Sequence, residues 1–425
     1  MDDEILDFDR RFDRRDFLVS GLKLGASVSA ASSLLGAADS LAGVSAEAAP
    51  TSVRGGIVGN FYDSLADEWF VDETEGAKEA AHALGLSTQD FTFGTDSSKE
   101  IGLVQDAITR HVNMWAIYTP LGAGVSALAK RAKGHAVMCT EFDMQPWTYP
   151  SSYGDAWGFF LVNNIADGAY RAGKYVLNLI GGKGNVVVMS AFPGGQDNEG
   201  GEIGFNRALR EFPQVKVLEK APGHFSRQPA HNLMADWLSK HSKIDALLSY
   251  ADTQSLGAYQ AMRQVHRTNI KIASVNGQLE GLQGVKSGQI TATVFNNPLY
   301  FGGWRTVRLF DLINGWKPHI LERMMYIETS VVTQHNVDKY LAYANKRPLP
   351  YNWRKMSRVL HPKDWQSQAR VHPINPVAFW NSPHNLGVKK PAQPWLPANA
   401  QRALNRGEFN TLYRLYDQHV GNAPV

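Results

Sequence analysis

Three kinds of side chain stand where a ligand could use them. Trp69 and Phe70 set two adjacent aromatic faces just past Asp67, and Tyr118 closes an apolar run. Glu141, Asp143 and Asp252 supply carboxylates, and Asn198, Asn276 and Asn296 supply amides, each shortly beyond a short apolar stretch. Carboxylates accept hydrogen bonds and amides both accept and donate, at fixed angles, while aromatic faces cover apolar surface. This mixture suits the capture of a small hydroxylated molecule.

Signatures of catalysis are missing from the sequence. No G-x-S-x-G elbow and no evident nucleophile–base arrangement occurs, and the thirteen histidines form no H-x-x-x-H or H-x-H pair that would suit a metal. Gly181-Gly182-Lys183-Gly184, and Gly194-Gly195 with Gly200-Gly201, lack the spacing that cradles a triphosphate; the first reads as a helix stop feeding a strand. The single cysteine, Cys139, can build neither an intramolecular disulfide nor a cysteine-based metal site, and reads as a small buried apolar residue. The expectation is a chain that is not an enzyme and has no cofactor and no metal.

The elements that must position these residues follow from the apolar runs. Gly56–Phe61, Phe91–Gly94, Met114–Pro120, Ala136–Phe142, Asn185–Ser190, Val215–Leu218, Ala246–Tyr250, Ile270–Val275 and Ile290–Phe295 read as strands, separated by segments of helical spacing such as Ala156–Ile180 and Leu256–Val265. Strands alternating with helices imply right-handed crossovers and parallel sheets covered on both faces. Some nine strands exceed one compact half and predict two doubly wound lobes, the α/β class, with ligand bound beyond the carboxyl ends of the strands. The candidate residues stand at those ends.

Over roughly 55–341 the chain resembles the ribose-type periplasmic sugar-binding proteins of ABC transporters, a type I two-lobe fold. The landmarks run in order: Trp69-Phe70 before Glu75-Gly76-Ala77-Lys78; Asn163-Asn164-Ile165-Ala166-Asp167-Gly168; Leu179-Ile180-Gly181-Gly182-Lys183-Gly184-Asn185; Gly204-Phe205; Asp252 before Leu256-Gly257-Ala258; Ser274-Val275-Asn276-Gly277; and Gly288-Gln289-Ile290-Thr291 before Pro298. The resemblance implies that Asp67 replaces a sugar-binding Asn and that Trp69 and Phe70 are stacking aromatics. It further implies that Glu141, with Asp143 competing, accepts from hydroxyls, that Asn276 replaces a carboxylate, and that Asn296 matches a binding Gln. It implies a sugar or polyol ligand, hinge closure at crossovers near 142–145, 295–297 and 328–331, and delivery to an ABC permease of the inner membrane. Two departures stand out: the family's binding Arg would fall at Gly201 and its Asn before Asp252 is Ala251. Asn198, Glu199 or Glu202 are the candidate substitutes, and the smaller side chains predict room for a larger ligand.

Of 425 residues 44% are hydrophobic and 20% charged, with a net charge of +3, a balance that suits a soluble globular protein and argues against a nucleic-acid partner. The first fifty residues read as an address. Arg14-Arg15-Asp16-Phe17-Leu18, then a weakly apolar Ala, Ser and Gly run and Val44-Ser45-Ala46, resemble a twin-arginine export signal, which places the mature, monomeric protein in the periplasm. From Ser330 onward thirteen Lys and Arg face four acids, with ten of the 20 prolines and Trp353, Trp365, Trp380 and Trp395. This predicts a basic extension that wraps the lobes in extended form and ends in a short helix near 398–416. The expected division is a signal at 1–48, a first lobe at 52–144 and 297–327, a second at 145–296 and 328–342, and the extension at 343–425. A periplasmic sensory or docking protein that presents its ligand to a partner is the alternative reading, and an enzyme the weaker one.

Overall fold

Apolar runs without polar alternation need cover on both faces, and the strands built from them occupy the middle of two parallel sheets. The computed structural model describes residues 53–425 except 66–67, 95, 119–121, 123, 192–195 and 383–386. The export segment and Asp67 lie outside the described residues. In the first sheet β1 (Ile57–Tyr62), β2 (Ser87–Thr92), β3 (Met114–Tyr118), β4 (Val137–Glu141) and β5 (Trp157–Asn163) run parallel. In the second, β6 (Lys183–Ser190), β7 (Gln214–Pro222), β8 (Ala246–Ser249), β9 (Lys271–Asn276) and β10 (Ala292–Phe295) do the same. The chain then returns to add β11 (Met324–Ile327) beside β5 and β12 (Ser330–Thr333), antiparallel, beside β10. A last strand, β13 (Val371–Pro373), pairs antiparallel with β11 and makes the first sheet seven-stranded, in the order β13-β11-β5-β4-β3-β1-β2. The second sheet has six strands, in the order β12-β10-β9-β8-β6-β7.

Helices α1 (Glu68–Leu84), α2 (Ser97–Thr109) and α3 (Val125–Ala132) cover the first sheet, and α4 (Ile165–Leu179), α5 (Gln196–Glu211), α6 (Arg227–Lys240), α7 (Asp252–Gln264) and α8 (Leu279–Lys286) the second. Then α9 (Pro298–Ile313) goes back to the first lobe and α10 (Val337–Ala344) to the second. The two-lobe expectation holds, but the first crossover is displaced from 142–145. The segment Trp157–Asn163 belongs to the first sheet, paired with β4 and β11, so the chain leaves that lobe at Asn163–Asn164. A short, fully apolar run cannot be separated by periodicity from a helix that follows it directly, and Trp157–Asn163 abuts α4. The edge strand β2 carries Ser, Thr, Gln and Asp, and only its apolar end was visible as a strand.

Close approach of α1 and α9 sets the geometry of the first lobe. A Cβ on Gly76 would lie 1.8 Å from the Leu299 carbonyl oxygen, and one on Gly302 would lie 1.9 Å from that of Glu73. Neither distance admits a side chain, so the two helix backbones touch through glycine. The neighbouring Gly303 faces the other way, against the Trp353 ring, where an added Cβ would meet Cη2 at 2.2 Å.

Trp353 belongs to the extension, whose helices are α11 (Trp353–Met356), α12 (Pro376–Trp380), α13 (Ala398–Asn405) and α14 (Glu408–Gln418). The expected single terminal helix is two, broken at Gly407, which takes a left-handed φ of 74°. Buried Asp311 of α9 accepts bonds from the backbone N–H of Arg358 (2.9 Å) and Val359 (3.2 Å), and the Trp380 indole donates to the Thr148 carbonyl at 3.0 Å. Trp353, Trp365 and Trp380 are all buried. At roughly 25 cal/mol per Å² over about 150–250 Å² each, their burial outweighs the poor helix and strand propensity of a proline-rich segment.

His372 of β13 fastens this segment. Its ring is fully buried, stacked on Tyr413 at 4.0 Å, with Nδ1 3.2 Å from Glu328 and Nε2 3.1 Å from Asp417. Burial pushes its pKa down, but the Asp417 and Glu328 carboxylates more than reverse this and hold it above the usual 6.5. A folded-state pKa above the unfolded one stabilises fully below about 6.5 and is lost as pH rises through the higher folded value. Thermal melts between pH 6 and 9 are therefore expected to show a decline in Tm that is smaller in His372→Gln; parallel curves for the two proteins would remove the histidine from this role.

Candidate functional site

The carboxyl ends of β1, β3 and β4 converge with the start of α1, and aromatic rings meet there. Phe70 lies 5.0 Å from Tyr62 and 5.1 Å from Tyr118; Trp69 meets Phe142 edge-on at 5.5 Å; Phe142 stacks on Phe301 at 5.0 Å. Trp69, Phe70 and Tyr118, expected as separate ligand contacts, lie in one ring cluster, in which Trp69 and Phe70 are only 7% and 6% exposed. Phe142, which sequence reasoning missed, occupies a left-handed conformation (φ 59°) just past β4. That turn swings its ring into the floor.

Beneath the floor lies a charge cluster without water contact. Arg305 of α9, Glu73 of α1 and Glu141 at the end of β4 are each 0% exposed. The Arg305 guanidinium pairs with Glu141 and, at 2.7 Å, with Glu73; it donates to Asn60 at 2.9 Å and to the Tyr62 hydroxyl at 2.6 Å. Two carboxyls around one guanidinium carry an excess negative charge unless one keeps its proton. Burial raises the Glu73 pKa well above the carboxylate range; Arg305 opposes this, and the adjoining Glu141 adds to it. Burial thus disfavours the charged form of Glu73, and its partners include the Trp69 indole one turn earlier on α1, which opposes that shift. Glu141, expected to face hydroxyls, is instead drawn inward by Arg305. The available signal was the pair Arg305 and Arg308 inside the largely apolar Pro298–Ile313, which demands buried counter-charges. Asp143 is buried two residues beyond.

In the second lobe two more expected contacts are internal ties. Asp252 accepts from Ser274 Oγ and Thr293 Oγ1, both at 2.6 Å, and from the Gln278 backbone N–H at 3.2 Å, so it joins α7 to β9, β10 and the start of α8. Burial pushes its pKa up to about 6 despite those donors. Asn198 accepts from the Ala191 N–H at 3.0 Å and so pins α5 to the end of β6. The room predicted at Gly201 is filled by the Tyr250 ring, whose Cδ2 would lie 2.8 Å from a Cβ there; the Tyr250 hydroxyl donates to Glu202 at 2.8 Å.

Asn276 and Asn296 do come together, at the ends of β9 and β10, with Asn296 Nδ2 3.4 Å from Asn276 Oδ1. Asn276 is partly exposed, whereas Asn296 is 2% exposed and its Oδ1 has no hydrogen-bond partner. Asn163, at the end of β5, is 3% exposed with neither amide atom partnered. Buried amides are nearly always satisfied, so these two mark acceptor and donor positions left open at the crossovers. Asn163 was read only as part of a landmark. Its strand was merged into a helix, which hid its place at a strand end.

The profile of the periplasmic binding protein domain matches residues 58–316. The chain belongs to that family. The family is one of binding proteins, in keeping with the two crossed-over sheets described above. Among relatives, the xylitol-binding protein of Mycolicibacterium smegmatis is 32% identical over 136 residues, which is 32% of this chain and 39% of that protein. The ribose import binding protein of Salmonella typhimurium is 25% identical over 240 residues, 56% of this chain and 78% of that protein. Among solved structures, a twin-arginine translocation pathway signal protein from Burkholderia phytofirmans superposes with a TM-score of 0.65 at 20% identity, covering 71% of this chain and 96% of that one. At such identity the likeness is one of fold.

The charge cluster has a direct test. Glu73→Gln keeps a neutral hydrogen-bonding group and is expected to shift the urea midpoint little, whereas Arg305→Met leaves a buried carboxylate unpaired and is expected to cost about 3–5 kcal/mol. Equal losses in the two variants would mean that Glu73 is ionised.

Proposed function

We propose that this family member captures a small polyhydroxylated ligand, a sugar or a polyol, between its lobes and delivers it to an ABC importer of the inner membrane. The observation that carries the reading is the pair of open, buried amides, Asn163 and Asn296, at the hinge side of a cleft whose first-lobe floor is aromatic. Hydroxyl groups complete such amides, and flat rings cover the apolar C–H faces of the same molecule. In this reading Trp69, Phe70 and Tyr118 form the stacking wall, and Asn163, Asn276 and Asn296 bind hydroxyls, with Asp67, which lies outside the described residues, and Asp143 as further candidates. Glu141, Asp252 and Asn198 support the walls from inside. The names of the relatives, a xylitol binder and a ribose import protein, are consistent with that ligand class.

The same proposal includes export of the folded chain by the twin-arginine route, cleavage near Ala46 or Ala48, and action as a periplasmic monomer. A fully buried Cys139, its thiol pKa pushed up by burial, gains nothing from an oxidising compartment and is compatible with folding before export.

Thermal melts with xylitol, D-ribose, D-allose and myo-inositol test the reading. A ligand at a hundred times its Kd stabilises the native state by about 2.7 kcal/mol and raises Tm accordingly; no shift with any compound of such a panel sinks the proposal. With a compound that binds, Trp69→Ala is expected to weaken affinity by about 1–3 kcal/mol. Asn296→Ala and Asn163→Ala are each expected to weaken it by roughly 0.5–1.5 kcal/mol, measured by calorimetry.

A further inference from the structure

The extension touches the second and third crossovers, and it does so with built contacts. At the second, Asn297 adopts a left-handed backbone (φ 53°), and its Oδ1 accepts from the Tyr300 N–H at 3.1 Å to cap α9. The same oxygen accepts from the Tyr343 hydroxyl of α10 at 2.6 Å. The Asn297 amide donates to the Tyr351 hydroxyl of the extension at 3.0 Å, and Tyr351 donates in turn to Tyr343 at 2.9 Å. Three bonds thus close a ring among a crossover residue, the last helix of the second lobe and the extension. All three residues are buried. Each bond polarises the next, and water cannot substitute without entering the core.

At the third crossover, Glu328 stands between β11 of one sheet and β12 of the other. Its N–H donates to the Arg370 carbonyl at 2.8 Å, and its carboxylate lies 3.2 Å from His372 and 3.6 Å from the Arg370 guanidinium. The adjoining Thr329 ties this crossover to the first, through its hydroxyl to the Asn164 carbonyl at 3.2 Å, and Arg171 of α4 donates to the Thr329 carbonyl at 2.6 Å. Further from the crossovers the extension is fixed to the first lobe by Trp353 against Gly303, by Arg347 on Glu75, and by the Leu349 N–H on Glu79 at 2.9 Å. Near its end, Asn422, Ala423 and Pro424 face Lys339, Ala342 and Lys346 of the second lobe across an open groove of about 420 Å³.

We propose that the segment running from Arg347 to His372 is a strap, anchored on the first lobe, that restricts how far the second lobe can swing away. Lobe separation requires backbone rotation at the crossovers. Asn297 cannot rotate without opening the hydrogen-bonded ring, and Glu328 cannot rotate without leaving β13. The strap therefore holds the ligand-free protein near a narrow range of lobe separations, which lowers the conformational cost of binding. The inference does not depend on which ligand the cleft takes.

Distance measurement between spin labels on the ligand-free full chain tests it. Lys99→Cys on the first lobe and Lys216→Cys on the second are exposed, and buried Cys139 stays unlabelled. The otherwise unchanged protein is expected to give one narrow interlobe distance. Tyr343→Phe with Tyr351→Phe, which removes the hydroxyls and keeps the rings, and separately Glu328→Gln, are expected to add a longer-distance population. Arg354→Ala, which removes only a contact from the extension to the Ala83 carbonyl, is expected to leave the distribution unchanged. Unchanged distributions in both strap variants overturn the proposal, as does equal broadening in Arg354→Ala. Should the tyrosine pair fail to fold, Glu328→Gln decides alone.

Discussion

Arg305 carries a full charge into a space without water, and the ends of the first sheet are arranged to compensate it. A guanidinium so placed must find acceptors for its donors, and it finds them on three different strands and helices: Asn60 and Tyr62 from β1, Glu73 from α1, Glu141 from β4. The cluster is possible only because α1 and α9 touch backbone to backbone at Gly76 and Gly302, which brings Arg305 level with Glu73. Once these partners are in place, Trp69, Phe70 and Phe142 have little freedom, since each sits within four residues of a member of the cluster.

The strand ends of the two lobes are built differently. The first-lobe end is aromatic above and ionic below, with Arg305, Glu73 and Glu141 gathered in one buried cluster. The second-lobe end is held by Asp252, whose hydroxyl and backbone donors fix the turn after Asn276. The crossovers carry Asn163, with neither amide atom partnered, and Asn296, whose Oδ1 is open while its Nδ2 reaches Asn276. Open amide atoms therefore sit at the ends of β5 and β10, where the chain passes between the lobes. The extension adds mass almost entirely to the first lobe, yet its most specific hydrogen bonds are at the crossovers.

Legibility of the site in the sequence varied with the reach of the interaction concerned. Trp69, Phe70 and Tyr118 were legible as neighbours because a strand end and the helix start that follows the adjacent strand bring their rings to the same edge of a parallel sheet. Glu141 and Asp252 were misread for one reason: a carboxylate at a strand end looks the same whether it faces a ligand or a residue 164 positions away, as Arg305 is from Glu141. Gly201 seemed to leave space, and Tyr250, distant in sequence, fills it. Asn163 was hidden because its strand and the following helix are both apolar.

Composition and the alternation of apolar runs with helical segments determined by themselves that this chain forms two parallel-sheet lobes, because sheets buried on both faces need such runs. The proline-rich, basic, tryptophan-bearing tail likewise had to be a wrapped extension, since its indoles require a surface. Tertiary structure alone decided which lobe owns β5, which carboxylates are neutralised, and where the extension grips. Those outcomes depend on contacts between residues far apart in the chain, and no local pattern carries them.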